Sequence, residues 1–357
     1  MKTKRSSGII FLVVVLFVSS SFNSCKRAGK ITIDPAFSAY ISAFTSGSLS
    51  RESVIRIRLN SDVAKENNFN KVLPNPVFDF EPAIKGNSYW VDSRTLEFRP
   101  LEKMQAGKTY RASFALSKVM KVPAKFSEFN FEFQVIRQSF EVNVSGLKPL
   151  DNRNYNRQIL SGNLLTADVE DGHAVEEVLT ATQDNRKLPV RWTHATDRTN
   201  HFFEIDSIVR GDDSSFVILS WNGKPISVDI TGQKTVTVPA FGDFVLMDTQ
   251  VEQQETEQYL LLRFSDPLQE NQNLQGLIKL GGMTDLRFSI EGNTIRVYPP
   301  SRQSSVLTLN VDASIKNILG KKLKENLAWN VQFEELKPAV RLAGKGHRVI
   351  GLATASA

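Results

Sequence analysis

The sequence predicts an all-β protein made of tandem immunoglobulin-like β-sandwich domains in series. Three observations carry that expectation. Apolar and polar residues alternate with period two along most of the chain, turn residues interrupt the alternation at short intervals, and long helical periodicity is nearly absent. The chain has 357 residues, 41% of them hydrophobic and 23 of them Phe. That length suits two or three domains, each with enough apolar material for a core. A single cysteine rules out an intrachain disulfide, so stability must come from packing. The formal charge is +6, from 44 basic and 38 acidic residues. Lys2, Lys4 and Arg5 sit at the extreme N-terminus, and no basic stripe with interleaved aromatics follows. Nucleic acid is therefore not an expected partner.

The elements can be justified in order. Those three basic residues precede an apolar run over 9–20 and the residues Ser21-Phe-Asn-Ser24 before Cys25. A basic end, a short apolar core and a small residue at the cut make residues 1–24 a secretory signal peptide. The run is shorter than the ~18 residues that argue for a membrane span. A cysteine here resembles the lipobox of bacterial lipoproteins, in which it is lipidated and becomes the new N-terminus. Phe22-Asn23-Ser24 departs from the strict Leu-Ala-Gly form of that motif. The resemblance implies lipidation of Cys25, with 25–30 as a tether; the alternative is an ordinary cleaved signal with an idle thiol, although a leftover cysteine in an exported chain needs some explanation.

Residues 54–59 (Val-Ile-Arg-Ile-Arg-Leu) then alternate as a strand with one buried and one wet face does. The same pattern runs through 95–99, 129–133, 140–144, 260–264, 294–298, 307–311 and 329–333. Turn signals stand at Gly86-Asn87, Ala106-Gly107, Asn222-Gly223, Gly281-Gly282 and Glu291-Gly292-Asn293. Laid on itself, the chain repeats. Residues 55–59 fall on 260–264, 95–100 on 294–299, 109–112 on 308–311, and 129–133 on 329–333. Two copies of one sandwich are expected at 31–137 and 245–336. Residues 138–244 between them read as a third β-rich domain, with one or two helical turns near 175–179.

Chemistry is thin along the chain. There is no phosphate-binding glycine loop and no Gly-x-Ser-x-Gly elbow. His194 and His201 are seven apart and could meet across a hairpin, but spacing supplies no third metal ligand, so they read as a surface pair and no metal or cofactor is expected. Asp168, Glu170, Asp171 and the Asp212-Asp213 pair read as solvated turns rather than calcium ligands. Adjacent carboxylates at 212 and 213 point to opposite faces of a strand and make a poor acid–base pair, so no catalytic residue is assigned. Trp90, Trp221 and Trp329 read as core. Trp192, beside Arg191 and His194, is the remaining aromatic, and Trp192 with His194 is the candidate ligand contact.

Residues 89–110 (Tyr-Trp-Val-Asp-Ser-Arg-Thr-Leu-Glu-Phe-Arg-Pro through Gly-Lys-Thr-Tyr) resemble the N-terminal region of bacterial α2-macroglobulin lipoproteins of the Bacteroidetes type. Residues 161–169 and Arg191-Trp-Thr-His194 resemble the stretch that follows, and 337–346 resemble the start of a macroglobulin-type domain. The family implies protease trapping through a cut bait segment and a Cys-Gln thioester. With Cys25 as its single cysteine this chain holds no thioester, and 337–357 read as a further domain truncated before the bait. What the resemblance leaves is a non-catalytic, membrane-tethered spacer and interaction module of a protease-defence system. Its implied partners are the membrane through its lipid, and proteases or other envelope proteins. Lys26 and Arg27 after the anchor favour the periplasmic side of the outer membrane. The alternative reading is a carbohydrate-binding envelope lipoprotein using Trp192.

Overall fold

Three pairs of facing β-sheets succeed one another along the chain. The computed structural model describes residues 31–150, 155–253, 257–335 and 349–351. Cys25, the signal peptide, the tether and the 337–346 segment lie outside the described residues.

The first sandwich contains β1 (Ile41–Thr45), β2 (Gly47–Leu49), β3 (Ile55–Leu59), β4 (Phe78–Glu81), β5 (Gly86–Trp90), β6 (Thr95–Pro100), β7 (Thr109–Phe114) and β8 (Phe129–Val135). One sheet runs β1-β3-β6-β5 and the facing sheet β2-β8-β7-β4. Alternation decides which side chains meet. Ile55, Ile57 and Leu59 turn inward from β3, while Phe129, Phe131 and Phe133 do so from β8. Phe80 and Phe98 touch across the sheets with ring centroids 4.6 Å apart. Much of the chain's Phe content is spent on this core, where edge-to-face pairs such as Phe44–Phe129 add to simple burial.

The second sandwich holds β9 (Phe140–Pro149), β10 (Arg157–Thr166), β11 (Leu179–Gln183), β12 (Arg186–Leu188), β13 (Arg191–His194), β14 (Asn200–Val209), β15 (Ser215–Asn222) and β16 (Thr231–Val238). Its sheets run β13-β14-β10-β9 and β12-β11-β15-β16. The helical stretch is a single turn, α1 (Gly172–Glu176), and Leu179 already belongs to β11.

The third sandwich holds β17 (Leu246–Gln253), β18 (Gln258–Phe264), β19 (Ile278–Leu280), β20 (Arg287–Glu291), β21 (Thr294–Tyr298), β22 (Val306–Val311) and β23 (Leu327–Gln332). Its sheets run β17-β18-β21-β20 and β19-β22-β23. The strand order mirrors the first sandwich, and so does the register. Ile55 and Ile57 pair with Phe98 and Leu96, just as Leu260 and Leu262 pair with Val297 and Ile295. Finally β24 (Val349–Gly351) lies antiparallel on β1.

One turn expectation is corrected. Gly86-Asn87 opens strand β5 rather than forming a turn. A Cβ on Gly86 would come within 2.4 Å of the Phe98 ring and 2.5 Å of the Arg99 carbonyl. Gly86 is required by that close approach across β5 and β6, a use of glycine that looks the same as a turn signal in sequence.

Candidate functional site

The residues with unusual chemistry gather in the second sandwich and at its two ends. Trp192 and His194 alternate on β13, which pairs with β14 at the sheet edge. On β14, His201, Phe203 and Ile205 are buried while Phe202 and Glu204 are exposed. The Trp192–His194 row faces the same side as His201 and Phe203. The Trp192 ring meets Phe203 edge-on at 5.5 Å and lies nearly parallel to His194 at 6.2 Å. Trp192 is thus half-buried against the core of its own sandwich.

His194 and His201 sit directly opposite one another at the base of their hairpin, with their Nδ1 atoms 2.8 Å apart. His194 Nε2 is 3.1 Å from Glu176 Oε1 on α1. The helix is started by Asp171, whose carboxylate accepts from the backbone N–H groups of His173 and Ala174. Those bonds hold the Asp171 carboxyl below its usual range. Its first residue, Gly172, admits the His194 ring, since a Cβ there would lie 2.7 Å from that ring. The expectation of two surface histidines is corrected: His201 is 0% exposed, and its Nε2 is buried without a hydrogen-bond partner. Such an orphaned buried nitrogen calls for a reason. Burial first, and His194 second, push the His201 imidazole below its ordinary value. Among the described residues no group of three or more His, Cys, Asp or Glu side chains is arranged to hold a metal ion.

The acidic cluster before α1 is also corrected. Asp168 and Glu170 are 3% and 5% exposed, so they are not solvated turn residues. They form the joint with the first sandwich. The Arg51 backbone N–H donates to Asp168 Oδ2 at 2.8 Å. Arg51 Nη2 donates to Glu170 Oε1 at 2.5 Å and to the Val169 carbonyl at 3.0 Å. Gln138, in the linker, donates to Glu170 Oε2 and to the Asp168 carbonyl, and accepts from the Asp168 N–H. A second clasp sits beside it. Arg198 donates from Nη1 and Nη2 to the two oxygens of Glu52 at 2.7 and 3.1 Å, and Lys103 approaches the same carboxylate at 3.3 Å. Arg198, then burial opposing it, sets Glu52, and the net effect holds it below the usual carboxylate range.

The other end of the second sandwich has its own knot. Arg210 is completely buried. Its Nη1 donates to Asp266 Oδ1 of the third sandwich at 2.6 Å. Its Nε donates to the Pro239 carbonyl at 3.1 Å, and Nη2 to the carbonyls of Ala240 and Asp243 at 2.7 and 2.6 Å. Ser265 Oγ donates to the remaining oxygen of Asp266 at 2.7 Å. A guanidinium suits this task because its planar fork can serve several carbonyls and a carboxylate at once. Asp212 and Asp213 are exposed in the loop after β14. Asp213 borders an open cleft of about 630 Å³ lined also by Gln183, Asp184 and Arg186.

No family model and no curated protein matches the chain. Several solved structures align with it at low identity. One is SGBP-B of the Bacteroides ovatus mixed-linkage glucan utilization locus, in complex with a mixed-linkage heptasaccharide; it is 10% identical, covers 82% of this chain and 66% of its own, and has a TM-score of 0.25. The ICAM-5 D1–D4 ectodomain fragment is 11% identical over 82% of this chain and 76% of its own, with a TM-score of 0.22. Domains 1–6 of the surface layer protein SbsC are 11% identical over 87% of this chain and 58% of their own, with a TM-score of 0.17. At such scores the alignments carry no argument about what this chain does.

Proposed function

We propose that this chain is a non-catalytic, membrane-tethered spacer and interaction module, of the kind found at the front of bacterial α2-macroglobulin-like defence lipoproteins. The observation that carries the reading is the pair of buried polar joints. Arg51–Glu170 ties the first sandwich to the second, and Arg210–Asp266 ties the second to the third. A flexible string of domains needs no such bonds, because exposed polar linkers serve it better. A spacer that must present its far end in a set direction does need them. The tether is supported by the N-terminal sequence: a signal-like leader ending at Cys25. The family is supported by the sequence of 89–110, 161–169 and 191–194. On this reading the module faces the periplasm from the outer membrane and meets proteases or other envelope proteins. Durable attachment takes more than one acyl chain, which the lipoprotein type of anchor supplies. The alternative is a carbohydrate-binding envelope lipoprotein, in which the half-buried Trp192, one side of it against Phe203, would meet the sugar.

The test is fractionation of cells expressing the full chain and its Cys25→Ala variant. The parent is expected in the membrane fraction and the variant in the soluble one. A variant that stays with the membrane rules the tether out.

A further inference from the structure

The hairpin that carries the two histidines also carries one of the two clasps on the first sandwich. β13 and β14 are joined by residues 195–199, and Arg198 in that loop holds Glu52 with two bonds. The Glu170 N–H donates to the Arg198 carbonyl at 2.8 Å, and the Arg198 N–H donates to the Ala195 carbonyl at 3.0 Å. Arg198 itself has φ 57°, a left-handed conformation that a non-glycine residue keeps only when its surroundings enforce it. The base of the loop is the His194–His201 pair, so the clasp is only as well placed as that pair is closed.

The 2.8 Å between the two Nδ1 atoms holds a single hydrogen. The Glu176 carboxylate can only accept, so His194 Nε2 donates to it. When His194 is neutral, the shared hydrogen comes from His201. When His194 is an imidazolium, it comes from His194. Both states are bonded. With both rings charged, two N–H groups face each other at a distance only a hydrogen bond can sustain, and two cations occupy a closed site.

We propose that the His194–His201 pair is an acid-operated release for the Arg198–Glu52 clasp, the more exposed of the two that hold the first sandwich to the second. Taking up the second proton prises the base of the hairpin apart and draws Arg198 away from Glu52. The charged groups around the pair are few. Glu176 faces it from α1, Asp197 and Arg198 stand in the hairpin loop, and Glu170 precedes α1. His173 on α1 is exposed and lies by the Asp171 cap. Opposite His201, β10 supplies the apolar Leu164. The turn Lys224–Ile226 against α1 buries Ile226 and leaves Lys224 exposed. Burial and His194 lower His201's hold on a proton, while the Arg198 backbone, Asp197 and Glu170 oppose them more weakly. The second proton is therefore absent at neutral pH and arrives only in acid.

The proposal rests on the joint being fixed at neutral pH, and the test separates the two. In the full chain with Cys25→Ser, spin labels are placed at Lys121→Cys and Thr235→Cys, both exposed, and the distance between them is measured by pulsed electron resonance at pH 7.5 and 5.0. A narrow distribution at pH 7.5 that broadens at pH 5.0 is expected. In His201→Gln, whose amide can still bond His194 but cannot take a proton, the distribution should stay narrow at both pH values. Arg198→Ala should broaden it at both. A parent distribution that is already broad at pH 7.5 overturns the fixed joint and the switch together. One that is narrow at both overturns the switch alone, as does acid broadening that persists in His201→Gln. If His201→Gln does not fold, the His201 C–H resonance of the parent decides: it must shift over the same pH interval in which the distribution broadens, and a resonance that does not move there sinks the proposal.

Discussion

At the scale of single residues, His201 shows how burial and a like-charged neighbour combine. Its imidazole is held below its ordinary value, so the unfolded chain takes up the proton first as pH falls. The neutral ring's contribution to stability is complete above about pH 6.5, the unfolded value, and drains away below it. Thermal melts between pH 7.5 and 5.0 should therefore show a falling midpoint, and His201→Gln should flatten that slope. An equal slope in both proteins would remove His201 from the account. The burial of His201 was within reach of the sequence. Ile205 and Phe203 set a period of two that, carried back one step further, lands on His201. Asp168 and Glu170 are a different matter. Their partner Arg51 lies 117 and 119 residues away, and no local pattern links a carboxylate to an arginine at that separation.

At the scale of elements, strands such as β3, β8 and β18 were legible because each has one buried and one wet face, whereas β6 also buries its polar-face Glu97 between Arg56 and Arg99. β3, β6, β8, β18 and β21 stand where the alternation places them. β5 was hidden by the Gly86-Asn87 pair that opens it. Gly86 lies under the Phe98 ring, and Gly86→Ala must push either that ring or the β6 backbone aside. Overpacking of this kind costs about 1–3 kcal/mol. Urea unfolding should show a lower midpoint with an unchanged slope. By contrast, Asn87→Ala, at a half-buried position beside it, should change little. The one-turn helix α1 belongs here too. Asp171 caps it, Gly172 gives the His194 ring its place and Val175 is buried in the core, so one short turn serves both core and histidine pair.

At the scale of the molecule, the two joints decide whether three sandwiches behave as three objects or one. Replacing Arg210 by Ala leaves Asp266 buried without its cationic partner and takes a donor from three carbonyls, of which Ala240 keeps the Asp243 N–H and Asp243 keeps the Ser265 hydroxyl. Breaking a buried pair in this way costs about 3–5 kcal/mol. Calorimetry of the parent is expected to show coupled unfolding of the second and third sandwiches, and Arg210→Ala should split it into separate transitions. A single unchanged transition would mean that the knot contributes no coupling. Arg198→Ala removes a partly exposed clasp worth about 0–1 kcal/mol, so it should move the joint far more than the melting point.

The matching register of the first and third sandwiches has a consequence for synthesis. Two strands that read alike can trade partners, with β3 closing on β21 or β18 on β6, and such an exchange would knot the nascent product into an aggregate-prone tangle. The unlike middle sandwich delays the twin. More than a hundred residues separate the end of β8 from the start of β18. A chain that emerges N-terminus first therefore presents the leading copy well before its rival, and sheets of this kind close in milliseconds to seconds.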